Sequence, residues 1–216
     1  MEIAARIDRA KYDVFQWRYE LSIPKKMALA LGMAALTGLL AQVRFPLPWS
    51  PVPITAQTFA VLLAGVLLGR WWGGASLAIF AGLGVAGVPW FSGWASGIGA
   101  TWGYIFGFIL AALFLGYFTD KYIRSRSFLS MLGLMLFANF VLIYIPGLLW
   151  LGFWLDVVAG TSAASFAALL GMGLLPFIAG DITKAVLAAA LARGVTPKSA
   201  YNGEVDKDRW ANWRIP

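Results

Sequence analysis

The chain has 216 residues, of which 60% are hydrophobic and only 12% charged, and its mean hydropathy is +0.74. Water-soluble domains are about 45–50% apolar and about 25% charged, so this composition excludes a soluble enzyme, a disordered tail and a collagen-like chain. The chain has neither cysteine nor histidine, which removes disulfides, thiolate metal sites and the usual neutral-pH proton carrier. We therefore expect one integral, all-α membrane domain.

Residues 1–26 are predicted to be a cytoplasmic amphipathic segment. They combine both signs of charge, which excludes a secretory signal. Apolar residues at steps of three and four predict one helical stripe, formed by Ile3, Ile7, Ala10, Val14, Trp17 and Leu21. The basic residues that lie mostly off the stripe are Arg6, Arg9, Lys11 and Arg18. This pattern favours a helix on the inner membrane surface, and the alternative is a solvated helical tail.

The apolar segments that follow Pro24 predict six membrane-spanning helices within residues 27–193. Their predicted bounds are 27–43, 54–69, 73–88, 101–118, about 128–152 and about 177–192. The last apolar stretch, residues 163–192, would be about 45 Å long as one helix, well beyond a hydrocarbon core of about 30 Å. Because Pro176 and Gly180 interrupt it, we expect a short outer segment near 163–173 before the sixth span.

The basic residues predict the orientation of the chain. With six spans, 15 of the 17 Lys and Arg residues fall on one side, in the N-terminal segment, in two loops, at Arg193, and in the C-terminal tail, residues 194–216. The exceptions are Arg44, on the other side, and Lys184, inside the sixth span. An excess of basic residues marks the cytoplasmic side, so both termini are predicted to be cytoplasmic in a multi-pass protein of the inner (plasma) membrane. The net charge of +7 therefore needs no nucleic-acid partner.

Polar residues near the outer ends of the predicted spans indicate a pocket. Ionisable side chains inside a span usually face a cavity or the bundle interior, and Asp181 and Lys184 share one helix face at spacing i, i+3. The alternative is a self-neutralising pair that only locks helices together. Other polar residues predicted at this depth are Thr55, Gln57, Thr58, Thr101, Tyr104 and Asp156. Asn139, nearer the middle of the fifth span, is interpreted as a structural interhelix bond.

Two further patterns concern the outer loops and the first span. The loop at 44–53 has four prolines, which exclude a helix, and the loop at 89–100 is rich in glycine and tryptophan. The second loop is expected to cover a small molecule, with walls from Trp90, Trp94, Trp102 and Trp150; the alternative is an interfacial aromatic belt. The small residues Ala30, Ala34 and Gly38 predict a close helix contact, either within the bundle or with a partner protein.

The sequence lacks a nucleotide-binding loop and a credible acid–base pair, so we expect no enzyme, no catalytic residue, no metal site and no cofactor.

Four segments of the sequence point to a known family. They are VPITAQTFAVLLAGVLLG at 52–69, AGLGVAGVPWFSG at 81–93, GATWGYIFGF at 99–108 and PFIAGDITKAVLAAALA at 176–192. They resemble the BioY family, the biotin-specific substrate-binding subunits (S-components) of energy-coupling factor (ECF) transporters. The resemblance covers about residues 27–193, and G-D-x-x-K in the last segment is its most specific part. At 99–104 the chain has GATWGY, where family members commonly have GPTGGY.

The resemblance implies six helices, an outward-facing biotin pocket, and docking on a transmembrane coupling protein (T-component) powered by two ATP-binding cassette ATPases. It implies that Asp181 and Lys184 contact biotin and that Gln57 and Tyr104 belong to the pocket, and the further candidates are Ser92, Thr101 and Trp90. The row of Ala30, Ala34 and Gly38 resembles the family's contact with the coupling protein. The alternatives are an S-component for another vitamin and a non-catalytic membrane anchor.

Overall fold

The computed structural model describes residues 2–161, 165–201 and 203–210. Parts of three predicted segments lie outside these residues: the N-terminal segment at residue 1, the outer segment at 163–164, and the tail at 202 and 211–216. The helices are α1 (Glu2–Glu20), α2 (Ile23–Gln42), α3 (Gln57–Leu68), α4 (Arg70–Val85), α5 (Trp102–Lys121), α6 (Phe128–Phe137), α7 (Tyr144–Phe153), α8 (Phe166–Gly173), α9 (Ile178–Val195) and α10 (Lys207–Trp210). Two strands, β1 (Arg44–Leu47) and β2 (Ser50–Thr55), lie between α2 and α3.

Within the described ranges, four helical stretches are long and apolar enough to cross a membrane: Ile23–Gln42, Trp102–Lys121, Phe128–Val158 and Phe166–Val195. The prediction of a mostly helical membrane protein is thus confirmed. Helices α3 and α4 have 12 and 16 residues, fewer than the roughly 20 that a span needs. Six spans and cytoplasmic termini therefore stay predictions.

The loop predicted at 44–53 is non-helical as expected, but it forms a β-hairpin between α2 and α3, which the all-α prediction did not include. Arg44 pairs with Thr55 and Phe45 with Ile54 in antiparallel register. The prolines of this segment exclude a helix, and they are tolerated because each strand of a two-stranded hairpin has a free edge. Since Ile54 belongs to β2, the predicted second span begins too early, and the helix starts at Gln57.

Two of the irregular helical segments in the second half of the bundle lie close to the starts of α7 and α9. A π-helical segment, Ala138–Ile143, joins α6 to α7 within one continuous helical stretch. The break expected at Pro176 is present, because the 3₁₀ turn Leu175–Phe177 separates α8 from α9. Proline is favourable in such a turn, where its missing N–H would have no helical partner.

Helix α5 packs against α3, α4 and α7, and glycines allow the close approach. A Cβ at Gly65 of α3 would collide with the carbonyl oxygen of Ala112, and a Cβ at Gly107 would lie 2.6 Å from Ile143 Cα. In lipid, van der Waals contact between small residues replaces the hydrophobic drive for helix packing. The turn between α3 and α4 contains Gly69, whose φ of +82° disfavours other residues. This packing fixes the starts of α3 and α5 side by side.

The small-residue row of α2 faces the protein interior, which corrects the prediction of a docking face. Ala30 and Ala34 are 0% exposed, and a Cβ at Gly38 would lie 3.0 Å from the Cβ of Trp90. Helix α2 packs mainly on α4. The structure therefore supports packing within the bundle, because residues already covered by their own chain are not available to a partner.

Helix α1 forms as predicted, but it packs on the bundle through a different face. Phe15 and Arg18 are buried, and Arg18 donates to Leu67 O at 2.9 Å and pairs with Asp120 at 2.9 Å. The predicted apolar stripe is largely exposed at Ile3, Ile7, Val14 and Trp17. Placement of this helix on the inner membrane surface stays a prediction.

The C-terminal segment is held at the same end of the bundle as α1. Arg126 forms a buried ion pair with Glu204 and donates to Pro197 O at 3.2 Å. The Tyr201 hydroxyl donates to Asp120 at 3.0 Å, and burial raises the pKa of Tyr201. These contacts join both chain ends to the ends of α3 and α5, opposite the starts of those helices.

Candidate functional site

A cavity of about 590 Å³, counting its opening to solvent, lies among the β-hairpin and the starts of α3, α5, α7 and α9. It is opposite the chain ends, because Thr101 and Tyr104 near the start of α5 line it whereas Asp120 near the end of α5 binds Arg18. The apolar walls are Val52, Pro53, Phe91, Ile105, Phe108, Ile143 and Phe177.

Asp181 is the centre of a hydrogen-bond cluster at the cavity. It is 2% exposed, and its Oδ1 pairs with Lys184 and accepts from Thr58 at 3.4 Å. Its Oδ2 accepts from Asn139 Nδ2 at 3.0 Å and from the Tyr144 hydroxyl. Because charge-assisted hydrogen bonds are the strong ones, this carboxylate joins α3, the π-helical segment, α7 and α9 at one point.

Asn139 and Tyr144 reach the same oxygen because of the π-helical segment. In an α-helix, residues five apart are separated by about 140° around the axis and face different sides. The i→i+5 turn of a π-helix widens the helix and brings such residues nearly over each other. The interpretation of Asn139 as an interhelix bond alone is too narrow, because its partner is the central carboxylate of the site.

Lys184 is neutralised within the chain. Its Nζ contacts Asp181 Oδ1 and donates to Thr55 O at 2.9 Å. The sequence left open whether Lys184 binds a ligand carboxylate or orients Asp181. In the structure, Lys184 contacts Asp181 and so orients it. Lys184 also lines the cavity, so the pair meets the ligand space together.

The structure brings the other predicted residues together at the cavity, with one exception. Gln57 accepts from Thr55 Oγ1 at 3.2 Å, and the Tyr104 hydroxyl donates to Gly173 O at 2.9 Å, which ties α8 to α5. Ser92 and Thr101 line the cavity, and Ser92 Oγ is buried without a hydrogen-bond partner among the described residues.

Trp90 is the exception, since it packs between α2 and α4 rather than against the cavity. Its Nε1 donates to Phe80 O at 2.9 Å. The other tryptophans expected as walls, Trp94, Trp102 and Trp150, also lie outside the cavity lining. Phenyl and phenol rings form the aromatic wall instead, including Tyr104 and Tyr144 in an edge-to-face pair. Asp156, expected at this depth, is exposed and away from the cavity.

Gln42 holds the loop that carries Phe91 and Ser92 over the cavity. Its Oε1 accepts from Gly93 N at 3.1 Å and from Trp94 N at 3.0 Å, and its Nε2 donates to Phe91 O at 3.1 Å. Sequence reasoning missed this residue. An amide so near the end of the first span was the available signal, since a side-chain amide in an apolar segment needs partners.

The acidic residues do not form a metal site within the described ranges.

A family model of the BioY family matches residues 11–201. The chain belongs to the BioY family. A relative described as a probable biotin transporter BioY, from Methanothermobacter thermautotrophicus, is 54% identical over 158 residues, 71% of this chain and all of the relative. The biotin transporter BioY of Thermotoga maritima is 33% identical over 68% of this chain and 82% of its own length.

A solved structure adds a likeness in fold. It is described as the S-component for biotin from an ECF-type ABC transporter, and it matches with a TM-score of 0.67 and 26% identity over 80% of this chain and 93% of that one. The resemblance to the BioY family noted from the four segments is thereby confirmed. Because this is a family of transporter components, the prediction that the chain is not an enzyme is also confirmed.

Proposed function

We propose that the chain is the biotin-binding S-component of an ECF transporter and captures biotin in the cavity beside Asp181. The BioY relatives and the biotin S-component of similar fold support the proposal. The observation that carries it is a buried polar cluster, centred on one carboxylate, beside a cavity with mostly apolar walls.

The chemistry of biotin suits this cavity. Its ureido ring has two N–H donors and one carbonyl acceptor, and its sulfur ring and side chain are apolar. Asp181 is the acceptor for a ureido N–H, which replaces the longest of its contacts, the 3.4 Å bond from Thr58. The buried Ser92 Oγ offers a second polar group, and Phe91, Phe108 and Phe177 pack against the apolar part.

We further propose that the cavity opens outwards and that both chain ends are in the cytoplasm. Helix α5 has 20 residues, about 30 Å in length, which matches a hydrocarbon core. The buried Arg18 and Arg126 lie at the end opposite the cavity, on the side where basic residues are in excess. We also propose that uptake across the plasma membrane uses a T-component and two ATPases, and the likeness to an S-component of an ECF-type ABC transporter supports this.

The proposal is tested by calorimetric titration of the purified full chain in detergent with biotin, thiamine and riboflavin. We expect one biotin per chain and no binding of the other two vitamins. Tyr144→Phe removes a donor to Asp181 and should weaken biotin binding about tenfold or more, because hydrogen bonds to charged groups contribute about 1.5–3 kcal/mol. Thr183→Val, on the exposed face of the same helix as Asp181, is the matched control.

The outcomes separate the alternatives. Thiamine or riboflavin binding in place of biotin would make the chain an S-component for another vitamin. Absence of binding by a well-folded protein would leave a non-catalytic membrane anchor, with Asp181 and Lys184 serving only to lock helices.

A further inference from the structure

A second chamber, of about 750 Å³ counting its opening to solvent, adjoins the cavity on its outer side. Pro53, Phe91, Ser92 and Thr101 line both spaces, so the two chambers meet at these residues. The second chamber also contains Arg44, the basic residue of the β-hairpin. A ligand anchored near Asp181 can therefore extend past Ser92 towards a cation.

The geometry around Arg44 keeps its guanidinium at this chamber. Arg44 begins β1 and pairs with Thr55, which follows the cavity-lining Pro53 on β2. The guanidinium packs directly against Gly93, which has no side chain, and a Cβ there would collide with Arg44 Nη1. Gln42 fixes Gly93 through its backbone N–H at 3.1 Å. The guanidinium thus lies against a backbone that is itself held in place.

The charge of Arg44 is not compensated among the described residues. The ion pairs there include Lys11–Asp8, Arg18–Asp120, Arg126–Glu204 and Lys184–Asp181, and Arg44 is in none of these. Lys184, the other cation near the ligand space, already has a carboxylate and a carbonyl as partners. An anionic group entering from the outer side therefore meets Arg44 as the available counter-charge.

We propose that the outer chamber is a carboxylate subsite in which Arg44 binds the anionic tail of the ligand, while Asp181 and its donors bind the polar ring. This inference rests on the proposed function and deepens it, because it assigns the two ends of biotin to two chambers. It makes Arg44 the residue that distinguishes a free acid from an ester or amide of the same acid.

The test compares biotin with biotin methyl ester, which differs by the loss of the negative charge. For the wild-type chain we expect about tenfold or more tighter binding of the acid, a ratio that falls with added salt because Arg44 is exposed. Arg44→Gln should lower biotin affinity by that factor, leave the affinity for the ester unchanged, and bring the ratio close to one. The matched control is Arg193→Gln, which removes one positive charge at an exposed position in the last turn of α9, far from Asp181 in its first turn. This variant should keep the wild-type ratio.

The outcomes are distinct. If Arg44→Gln keeps the wild-type preference for the acid, the inference is wrong and biotin binding itself stands. If the wild-type chain binds neither compound, the proposed function fails first and the inference falls with it. Should Arg44→Gln not fold, the wild-type arm still decides, because equal affinity for acid and ester, or a ratio unaffected by salt, contradicts a carboxylate subsite.

Discussion

Replacing Asp181 with alanine tests whether this carboxylate organises the site. The substitution removes the acceptor of Asn139 and Tyr144 and leaves the Lys184 ammonium without its counter-ion. Breaking a buried ion pair costs about 3–5 kcal/mol. The Lys184 side chain is 17% exposed, so water can partly solvate it and we expect a loss of about 3 kcal/mol. For a chain of this size, that lowers the unfolding midpoint by about 6–12 °C.

The assay is thermal unfolding in detergent, followed by tryptophan fluorescence with and without biotin. A double variant, Asp181→Asn with Lys184→Met, separates stability from binding because it removes both charges and keeps an acceptor for Tyr144. We expect it to recover most of the stability, since neutral replacements of buried pairs are often tolerated. Biotin binding should stay at least about tenfold weaker, because the ureido ring lacks a charged acceptor.

Two results would refute this reasoning. Unfolding of Asp181→Ala at the wild-type temperature would show that the cluster does not hold the helices together. Recovery of both stability and wild-type biotin affinity in the double variant would make the pair purely structural.

Three further predictions concern topology, packing and the chain ends. In intact cells, Ser96→Cys should react with an impermeant maleimide added outside, and Ser199→Cys should not. Both positions are exposed, and they lie at opposite ends of the bundle. The reverse labelling pattern would invert the proposed orientation. Ala34→Trp should lower the unfolding midpoint by several degrees, since overpacking costs about 1–3 kcal/mol. Ala35→Trp, at an exposed position, should leave the midpoint near the wild-type value. Equal midpoints for the two variants would contradict the burial of Ala34 in the bundle. Arg126→Met should speed proteolysis of the C-terminal segment, because that side chain donates to the carbonyl oxygens of Pro197 and Ser199; an unchanged rate would show that other contacts hold it.

Asp181 and Lys184 could be predicted from the sequence because charged side chains are rare within membrane-spanning segments. Asp181 and Lys184 are rare ionisable residues in an apolar segment, and their cost predicts an interior position. Tyr144 could not be found in this way. Its approach to Asp181 depends on the π-helical segment, and a regular helical period places Asn139 and Tyr144 on different faces.

Other errors have a common physical cause. In a membrane protein both the lipid-facing and the interior side of a helix are apolar, so spacing alone could not say whether Ala30 and Ala34 face a partner or the bundle. Tryptophan suits an apolar pocket wall, an interfacial belt and helix packing alike, so composition alone could not show that Trp90 packs on Phe80. The prolines predicted a non-helical loop correctly, but strand pairing depends on register and could not be derived from them.

The central claim is that the cavity beside Asp181 binds biotin, and equilibrium dialysis of the purified chain against labelled biotin tests it most directly. We predict saturable binding of one biotin per chain, with affinity lowered at least about tenfold in the double variant Asp181→Asn with Lys184→Met. Non-saturable binding, or equal saturable binding by the wild type and the double variant, would contradict the claim.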